Sequence, residues 1–264
     1  MRLTITHRTE YSYDQPLAYV LQRLRLVPLS SATQKVRSWT LTIEGAREEV
    51  RFTDHFGNDT RLISVEGEPH TIGIESAGEV DTVNKAGVTG SHRGFAPLWL
   101  FKRETPLTAP GKGIKALAAA IGKGAEISGL HELMATIGER VAYVPGAVNS
   151  ETSAEEALAQ GSGACQDQAH IFIAGARLLG FPARYVSGYL VVDGVAEQAA
   201  SHAWAEAHVE GLGWVGFDAA NCISPDENYV RVATGRDYRD AMPVSGIRLG
   251  QAAERLAVRV TVEQ

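Results

Sequence analysis

The apolar residues of this chain change period once, near Pro110, and that change limits the fold more than any other feature. Before Pro110 the spacing is two. Leu3, Ile5 and His7 alternate with Thr4 and Thr6, and Tyr11-Ser12-Tyr13 continues the series. Leu24-Arg25-Leu26 alternates ahead of Pro28, and Trp39, Leu41 and Ile43 alternate with Thr40 and Thr42 ahead of Gly45. Asp54-His55-Phe56-Gly57-Asn58-Asp59 reads as a turn, and further short strands are expected at 61–65 and 71–75. Short strands between turn signals predict a small antiparallel sandwich or sheet, with no helical stripe longer than two turns.

The segment from Asn84 to Pro110 thins into Gly, Thr, Pro and Ser around Phe95-Ala96-Pro97-Leu98-Trp99-Leu100. It reads as a boundary, with the Trp99 region docking on a neighbouring core. Beyond it the period becomes helical. Residues 114–121 are Ala-rich, and 128–141 place Leu130, Leu133, Met134 and Ile137 on one face. Ser153-Ala154-Glu155-Glu156 fits a capping box. A longer helix is expected from Cys165 to about Leu179, with Ala169, Phe172, Ile173, Ala176 and Leu179 as its apolar face and Gly180 and Pro182 as its stop. Strands follow at 184–192, 203–209 and 213–217, and Leu256, Val258, Val260 and Val262 mark a last strand.

Composition excludes some classes. With 25 Lys+Arg against 31 Asp+Glu the net charge is −6, which argues against a sequence-independent nucleic-acid binder. No apolar run approaches the roughly 18 residues that span a bilayer, so no membrane partner is expected. The N-terminus has no continuous apolar stretch of the signal-peptide kind. A cytoplasmic location is the expectation, in which the two cysteines are thiols first.

Cys165 stands behind Gly161 and Gly163 at the expected start of a helix, where free N–H groups and the helix dipole favour a thiolate. From position alone, a small buried cysteine packing under the turn is the favoured reading. A nucleophilic cysteine needs a base and a group that orients the base. Ser201-His202-Ala203-Trp204-Ala205-Glu206 puts a histidine at the start of one strand, and Gly213-Trp214-Val215-Gly216-Phe217-Asp218 puts an aspartate at the end of the next. A hairpin through 210–213 brings His202 and Asp218 to the same end of the ladder. Cysteine, histidine and aspartate so placed form a triad.

These motifs together resemble the bacterial transglutaminase-like family, within the papain-like superfamily of cysteine enzymes. The resemblance is carried by Tyr143-Val144-Pro145-Gly146, by Gly163-Ala164-Cys165-Gln166-Asp167-Gln168-Ala169-His170, by residues 179–189, and by the two strand motifs above. Gly235-Arg236-Asp237-Tyr238, with Pro243 and Gly246, adds a further signature. His7, Thr9, Tyr11, Tyr13 and 54–58 are similar to the family's β-rich leader domain. One departure is Asp218-Ala219-Ala220-Asn221 in place of Asp-Pro-Thr-Asn, which should alter the rigidity of the turn.

The expectation is therefore an α+β chain: a β-rich N-terminal domain at 1–105, then a papain-like transglutaminase core at 106–264 whose nucleophile helix packs on an antiparallel sheet. The last strand is a candidate to return to the first domain. The resemblance implies Cys165 as nucleophile, His202 as base and then acid, and Asp218 as orienter, acting on an amide in a peptide or protein without a cofactor. Cleavage by water is favoured over transfer to an amine, and a non-catalytic binding module is the rival class.

The backbone N–H of Cys165 is the first oxyanion donor, with the side chains of Gln160 and Gln166 as candidates for a second and Asn221 beside the aspartate. Trp204 and Trp214 are read as sheet packing first and acyl-group contacts second. Arg184 and Arg236 are read first as structural partners of Asp167 or Asp237 and second as a carboxylate anchor for substrate, and His170 as a polar helix residue rather than a second base. Glu206 and His208 share a strand face with His202, but no Cys/His spacing supports a metal. Cys222 is read as a packed thiol, with a reversible disulfide to Cys165 as the sharper reading. Gly111-Lys112-Gly113 lacks the full phosphate-loop spacing.

Overall fold

The computed structural model describes residues 1–16, 19–65, 69–122, 126–144, 151–192, 194, 196–198, 200–250 and 252–264. Pro145 and Gly146 of the first core motif lie outside them. The first third contains β1 (Arg2–Tyr13), β2 (Tyr19–Leu24), β3 (Gln34–Glu44), β4 (Ala46–Thr53), β5 (Asp59–Val65), β6 (Thr71–Thr82) and β7 (Val88–Gly90). Two 3-10 turns, Leu98–Lys102 and Pro106–Thr108, lead to α1 (Lys112–Ile121), α2 (Ile127–Arg140), β8 (Ala142–Tyr143), α3 (Ala154–Gln160), β9 (Ser162–Gly163) and α4 (Cys165–Leu178). The chain ends with β10 (Ala183–Leu190), β11 (Glu197–Gln198), β12 (His202–Val209), β13 (Gly213–Phe217), β14 (Tyr229–Gly235), α5 (Tyr238–Ala241), β15 (Val244–Leu249) and β16 (Glu254–Glu263).

The N-terminal unit is a sandwich of two sheets, ordered β11-β16-β1-β6-β3 and β15-β2-β5-β4. Each is completed by a strand from the far end of the chain. β16 runs antiparallel to β1 from Thr4↔Glu263 to Tyr13↔Glu254, and β15 runs antiparallel to β2. In return, β7 joins the edge of the core sheet through β13.

β1 shows how one alternating face serves several neighbours. Its odd residues point inward. Leu3 and Ile5 pack with Tyr189, Val230 and Val232 of the core, while Tyr11 and Tyr13 pack inside the sandwich with Val20, Ile63 and Ile72. His7 and Thr9 sit between these two clusters. Side-chain amides also clamp the units. Gln34 donates to the Arg231 carbonyl and accepts from the Arg231 N–H, each at 2.8 Å, and Asn58 does the same with Thr234 at 2.8 Å. Asn58 is presented by the expected 54–59 turn, in which Asp54 Oδ1 accepts the N–H groups of Phe56 and Asn58.

The core packs α4 against the sheet β14-β10-β12-β13-β7, with α1, α2 and α3 around it. Every residue of α4 from Asp167 to Arg177 is buried, so the helix has no solvent face. Its small residues follow from that enclosure: a Cβ on Gly175 would stand 3.0 Å from Leu133. Arg177 satisfies the polar ends of four segments, donating to Phe101 O, Thr108 Oγ1, Ala183 O and Arg236 O at 2.7–2.9 Å. The boundary segment docks through Phe101 rather than Trp99. Phe101 is 1% exposed and meets Trp214 edge-on at 5.2 Å, whereas Trp99 is 59% exposed beneath Arg103.

Gly111-Lys112-Gly113 opens α1, and the N–H groups of both glycines are already occupied. Glu155 of α3 accepts from Gly111, Gly113 and Ile114 at 3.0, 2.6 and 3.1 Å. An internal carboxylate thus takes the place that an anion would seek at a helix N-terminus.

Candidate active site

Cys165 is the first residue of α4 and is half-buried. The helix starts there because Ala164 is extended and its N–H donates to Asp167 Oδ2 at 2.7 Å, one half of a capping box. Gly163 permits that closure, since a Cβ on it would stand 2.9 Å from the Asp167 Cβ. Burial raises the Asp167 carboxyl to about 6, against the two backbone hydrogen bonds that lower it.

His202 begins β12 and Asp218 follows β13. The ladder between them runs from Val209↔Gly213 to Ala205↔Phe217, so continuing it sets Asp218 diagonal to His202. His202 Nε2 lies 2.7 Å from Asp218 Oδ2, as the hairpin reading expected. This leaves Nδ1 as the ring nitrogen for the thiol.

Asp218 is fully buried but not bare. Its Oδ1 accepts the N–H groups of Ala220 and Asn221 at 3.0 and 3.3 Å. Its Oδ2 accepts Asn221 Nδ2 and the Tyr229 hydroxyl, each at 2.7 Å. Burial pushes the carboxyl pKa up, but His202 and these donors outweigh it and hold the group below the usual carboxylate range. The opposite balance acts on His202. Burial lowers its pKa, but Asp218 and the Cys165 side chain raise it further, to about 10. The imidazole is therefore a cation at neutral pH, facing a thiol and backed by a carboxylate. The 218–223 turn closes without a proline, through paired backbone bonds between Asp218 and Ile223.

Aromatic packing fixes the ring. Trp204 stacks on His202 at 6.2 Å and Tyr229 lies tilted at 5.9 Å. Gly188, paired with His202 in register, makes room for this: a Cβ there would stand 2.7 Å from the Trp204 ring.

A cavity of about 220 Å³ opens over Cys165 and His202. Gln166, Tyr185, Ser201 and Tyr238 line it from the core. The N-terminal unit closes the other side with His7, Thr9 and Tyr11 of β1 and Leu256 and Val258 of β16. His7 Nδ1 lies 2.9 Å from the Tyr189 hydroxyl, and burial lowers its pKa to about 4, so it is neutral.

The remaining expected residues divide. Gln166 lines the cavity, while Gln160 is exposed at the end of α3 and does not. Neither Trp204 nor Trp214 lines it. Asn221 binds Asp218 rather than standing free. Cys222 is exposed at φ +55°, and both cysteines are free thiols. Arg184 and Arg236 pair with Glu206 and Asp240 rather than with Asp167 or Asp237. His170 is a hydrogen-bonded residue of α4 and is buried; its Nε2 accepts the Tyr238 N–H at 3.0 Å and burial lowers its pKa to about 3. Glu206 faces Arg184 and Arg231, and His208 packs edge-on to Trp214. Among the described residues no group of three or more His, Cys, Asp or Glu side chains is arranged to hold a metal. Among the described residues no helix is long and apolar enough to cross a membrane.

Sequence reasoning gave Tyr229 no part in the site. Its only signal was position, eleven residues beyond Asp218. His7, Thr9 and Tyr11 share one face of β1, but nothing local points that face at Cys165.

Residues 115–219 match the family model for the transglutaminase-like superfamily, and residues 3–81 match that for the bacterial transglutaminase-like N-terminal region. An uncharacterized protein of Mycobacterium leprae is 30% identical over 99% of this chain and 98% of its own length. One of Mycobacterium tuberculosis is 30% identical over 93% of this chain and 87% of its own. Among solved structures, a "Putative Cysteine Protease from Cytophaga hutchinsonii" is 25% identical, with a TM-score of 0.77 over 100% of this chain and 91% of that one.

Proposed function

The chain belongs to the bacterial transglutaminase-like family, and on that premise we propose that it cleaves an amide or isopeptide bond in a peptide through a Cys165 acyl-thioenzyme. The observation that carries this reading is the geometry: His202 Nε2 lies 2.7 Å from Asp218 Oδ2, and His202 and Cys165 line one cavity. An imidazolium at neutral pH stabilises the thiolate, the reactive form of the nucleophile.

The Cys165 thiolate attacks the substrate carbonyl carbon, and the carbonyl electron pair moves to oxygen. The N–H of Cys165 at the start of α4 donates to that oxyanion, with the Gln166 side chain as the nearer candidate for a second donor. His202 passes its proton to the leaving nitrogen as the C–N bond breaks. Neutral His202 then takes a proton from water as the water oxygen attacks the thioester carbon; the C–S bond breaks, releasing the carboxylic acid and restoring the Cys165 thiolate beside protonated His202. Asp218 keeps the ring oriented throughout.

Transfer of the acyl group to a primary amine is the second reading, since the family model matches the transglutaminase-like superfamily. Water is favoured because it is always available, and among the described residues no carboxylate lines the cavity to receive an amine. A binding module without catalysis remains the third, disfavoured by the completeness of the Cys165, His202 and Asp218 set. Two free thiols fit a reducing compartment, and we assign the activity to the cytoplasm. Incubation of the protein with a peptide library, with and without a primary amine, tests the partition by mass spectrometry. Hydrolysed products in both arms are expected; amine-bearing products in the second arm overturn the preference for water.

A further inference from the structure

A second cavity, of about 450 Å³, opens between the two units on the sheet face turned away from α4. Arg184 of β10 and Glu206 of β12 are registered partners on that face, while their neighbours Tyr185, Ala205 and Ala207 pack with α4 on the other. The cavity shares no lining residue with the one over Cys165. Its walls come from both units: residues 29–32 and 56–58 of the sandwich, and Arg184, Trp214 and Arg231 of the core.

Its charge does not balance. Glu206 is 0% exposed, and its carboxylate meets two guanidinium groups, Arg184 Nη2 at 2.5 Å and Arg231 Nε at 3.3 Å. Glu206 lies behind this wall, in a smaller neighbouring cavity that it lines with Asp226 and Arg231, so the described lining of the larger cavity carries guanidinium groups and no carboxylate. Arg184 Nε and Nη2 both contact the same Glu206 oxygen, Oε2, and the guanidinium also lies 3.9 Å over the Trp214 ring. Arg93 adds a third guanidinium at the rim, exposed and with no ion pair among the described residues. The Gln34 clamp holds the Arg231 backbone in place, so the arrangement is built rather than adaptable.

A cation beside a cavity is stabilised by an anion, and guanidinium forks match the oxygens of phosphate and carboxylate. We propose that this cavity is an anion-binding site separate from the active site, taking a small ligand that carries a phosphate or carboxylate group. Arg93 and Arg231 hold the anionic group above the Arg184–Glu206 pair, and the rings of Trp214 and Phe56 flank the rest of the ligand.

Isothermal titration of the full chain at constant ionic strength tests this, with inorganic phosphate in one arm and acetate in the other. At least one anion is expected to bind saturably, and the arm that binds identifies the group. Arg93→Ala and Arg231→Gln are each expected to weaken that binding about 10-fold, and Arg255→Ala, an exposed change on β16, to leave it unaltered. Arg93 is exposed, so its variant tests the proposal without loss of the fold. Absence of saturable binding in both arms, or equal affinity in wild type and Arg93→Ala, overturns it.

Discussion

Tyr229 gives its phenolic hydrogen to Asp218 Oδ2 at 2.7 Å, the same oxygen that holds His202 Nε2 at 2.7 Å. With Asn221 Nδ2 as a third donor and two backbone N–H groups on Oδ1, the carboxylate is fixed in position and in charge. The imidazole is oriented by a group that is itself oriented.

That arrangement ranks two substitutions. Asp218→Asn removes the charge behind the ring and is expected to lower kcat roughly 10³–10⁴-fold. Tyr229→Phe removes one hydrogen bond to a carboxylate that keeps its other donors, and about a 10-fold loss is expected. Steady-state kinetics on any peptide that the enzyme cleaves checks the order. Equal losses, or no loss in Asp218→Asn, contradict it.

The pH profile follows from His202. Its pKa rises from 6.5 to about 10 in the folded chain, because Asp218 and Cys165 together outweigh burial. The stabilisation from this raised pKa is fully present below 6.5 and is lost as pH rises towards 10. Activity that needs the imidazolium is expected to persist through neutral pH and fall on the alkaline side. Asp218→Asn removes a principal raising influence, so its alkaline limb should move to lower pH. A limb that stays in place in the variant contradicts the coupling.

Acid sensitivity has a different source. Burial lowers His7 to about 4 and His170 to about 3. A depressed histidine contributes full stability above 6.5 and loses it as pH falls towards the folded value, by up to about 3 kcal/mol for His7. Asp167 acts in the opposite sense, its contribution being present below 3.8 and lost as pH rises towards about 6. The clean readout is the difference between wild type and His7→Gln in urea melts from pH 7 to pH 4. The variant is expected to show the shallower decline on acidification; parallel curves contradict it.

Glu155 holds three N–H groups at the start of α1. Glu155→Ala is expected to cost about 1–3 kcal/mol in urea denaturation, and Glu155→Gln less, because the amide oxygen still accepts. A loss confined to the charge would appear equally in both variants.

The alternation of β1 and β16 and the switch of period at Pro110 made two kinds of layer legible, and the start of α4 and the 202–218 hairpin located three chemical groups. These signals are local, so the sequence carries them. β4 was missed because nearly all of its residues are exposed and Arg47, Glu48 and Glu49 run together, so no buried face patterns it. β15 was missed for a related reason: its outer residues Ile247 and Leu249 are exposed, so burial does not pattern it. Tyr229 and His7 reach the site only through pairing of distant strands, and no spacing encodes that. Trp99 attracted attention as the largest apolar residue of its segment, but the fold buried Phe101, which the 3-10 turn points at Trp214.

The central claim is that His202, backed by Asp218, activates Cys165. Its most direct test is the rate of iodoacetamide alkylation at each cysteine near pH 7, read by peptide mass spectrometry in wild type and His202→Ala. Cys222 is an exposed thiol in the same molecule and serves as the internal reference. Faster labelling of half-buried Cys165 than of Cys222, lost in His202→Ala, is the expected result. Equal and slow labelling of both thiols, unchanged by the substitution, would contradict the account.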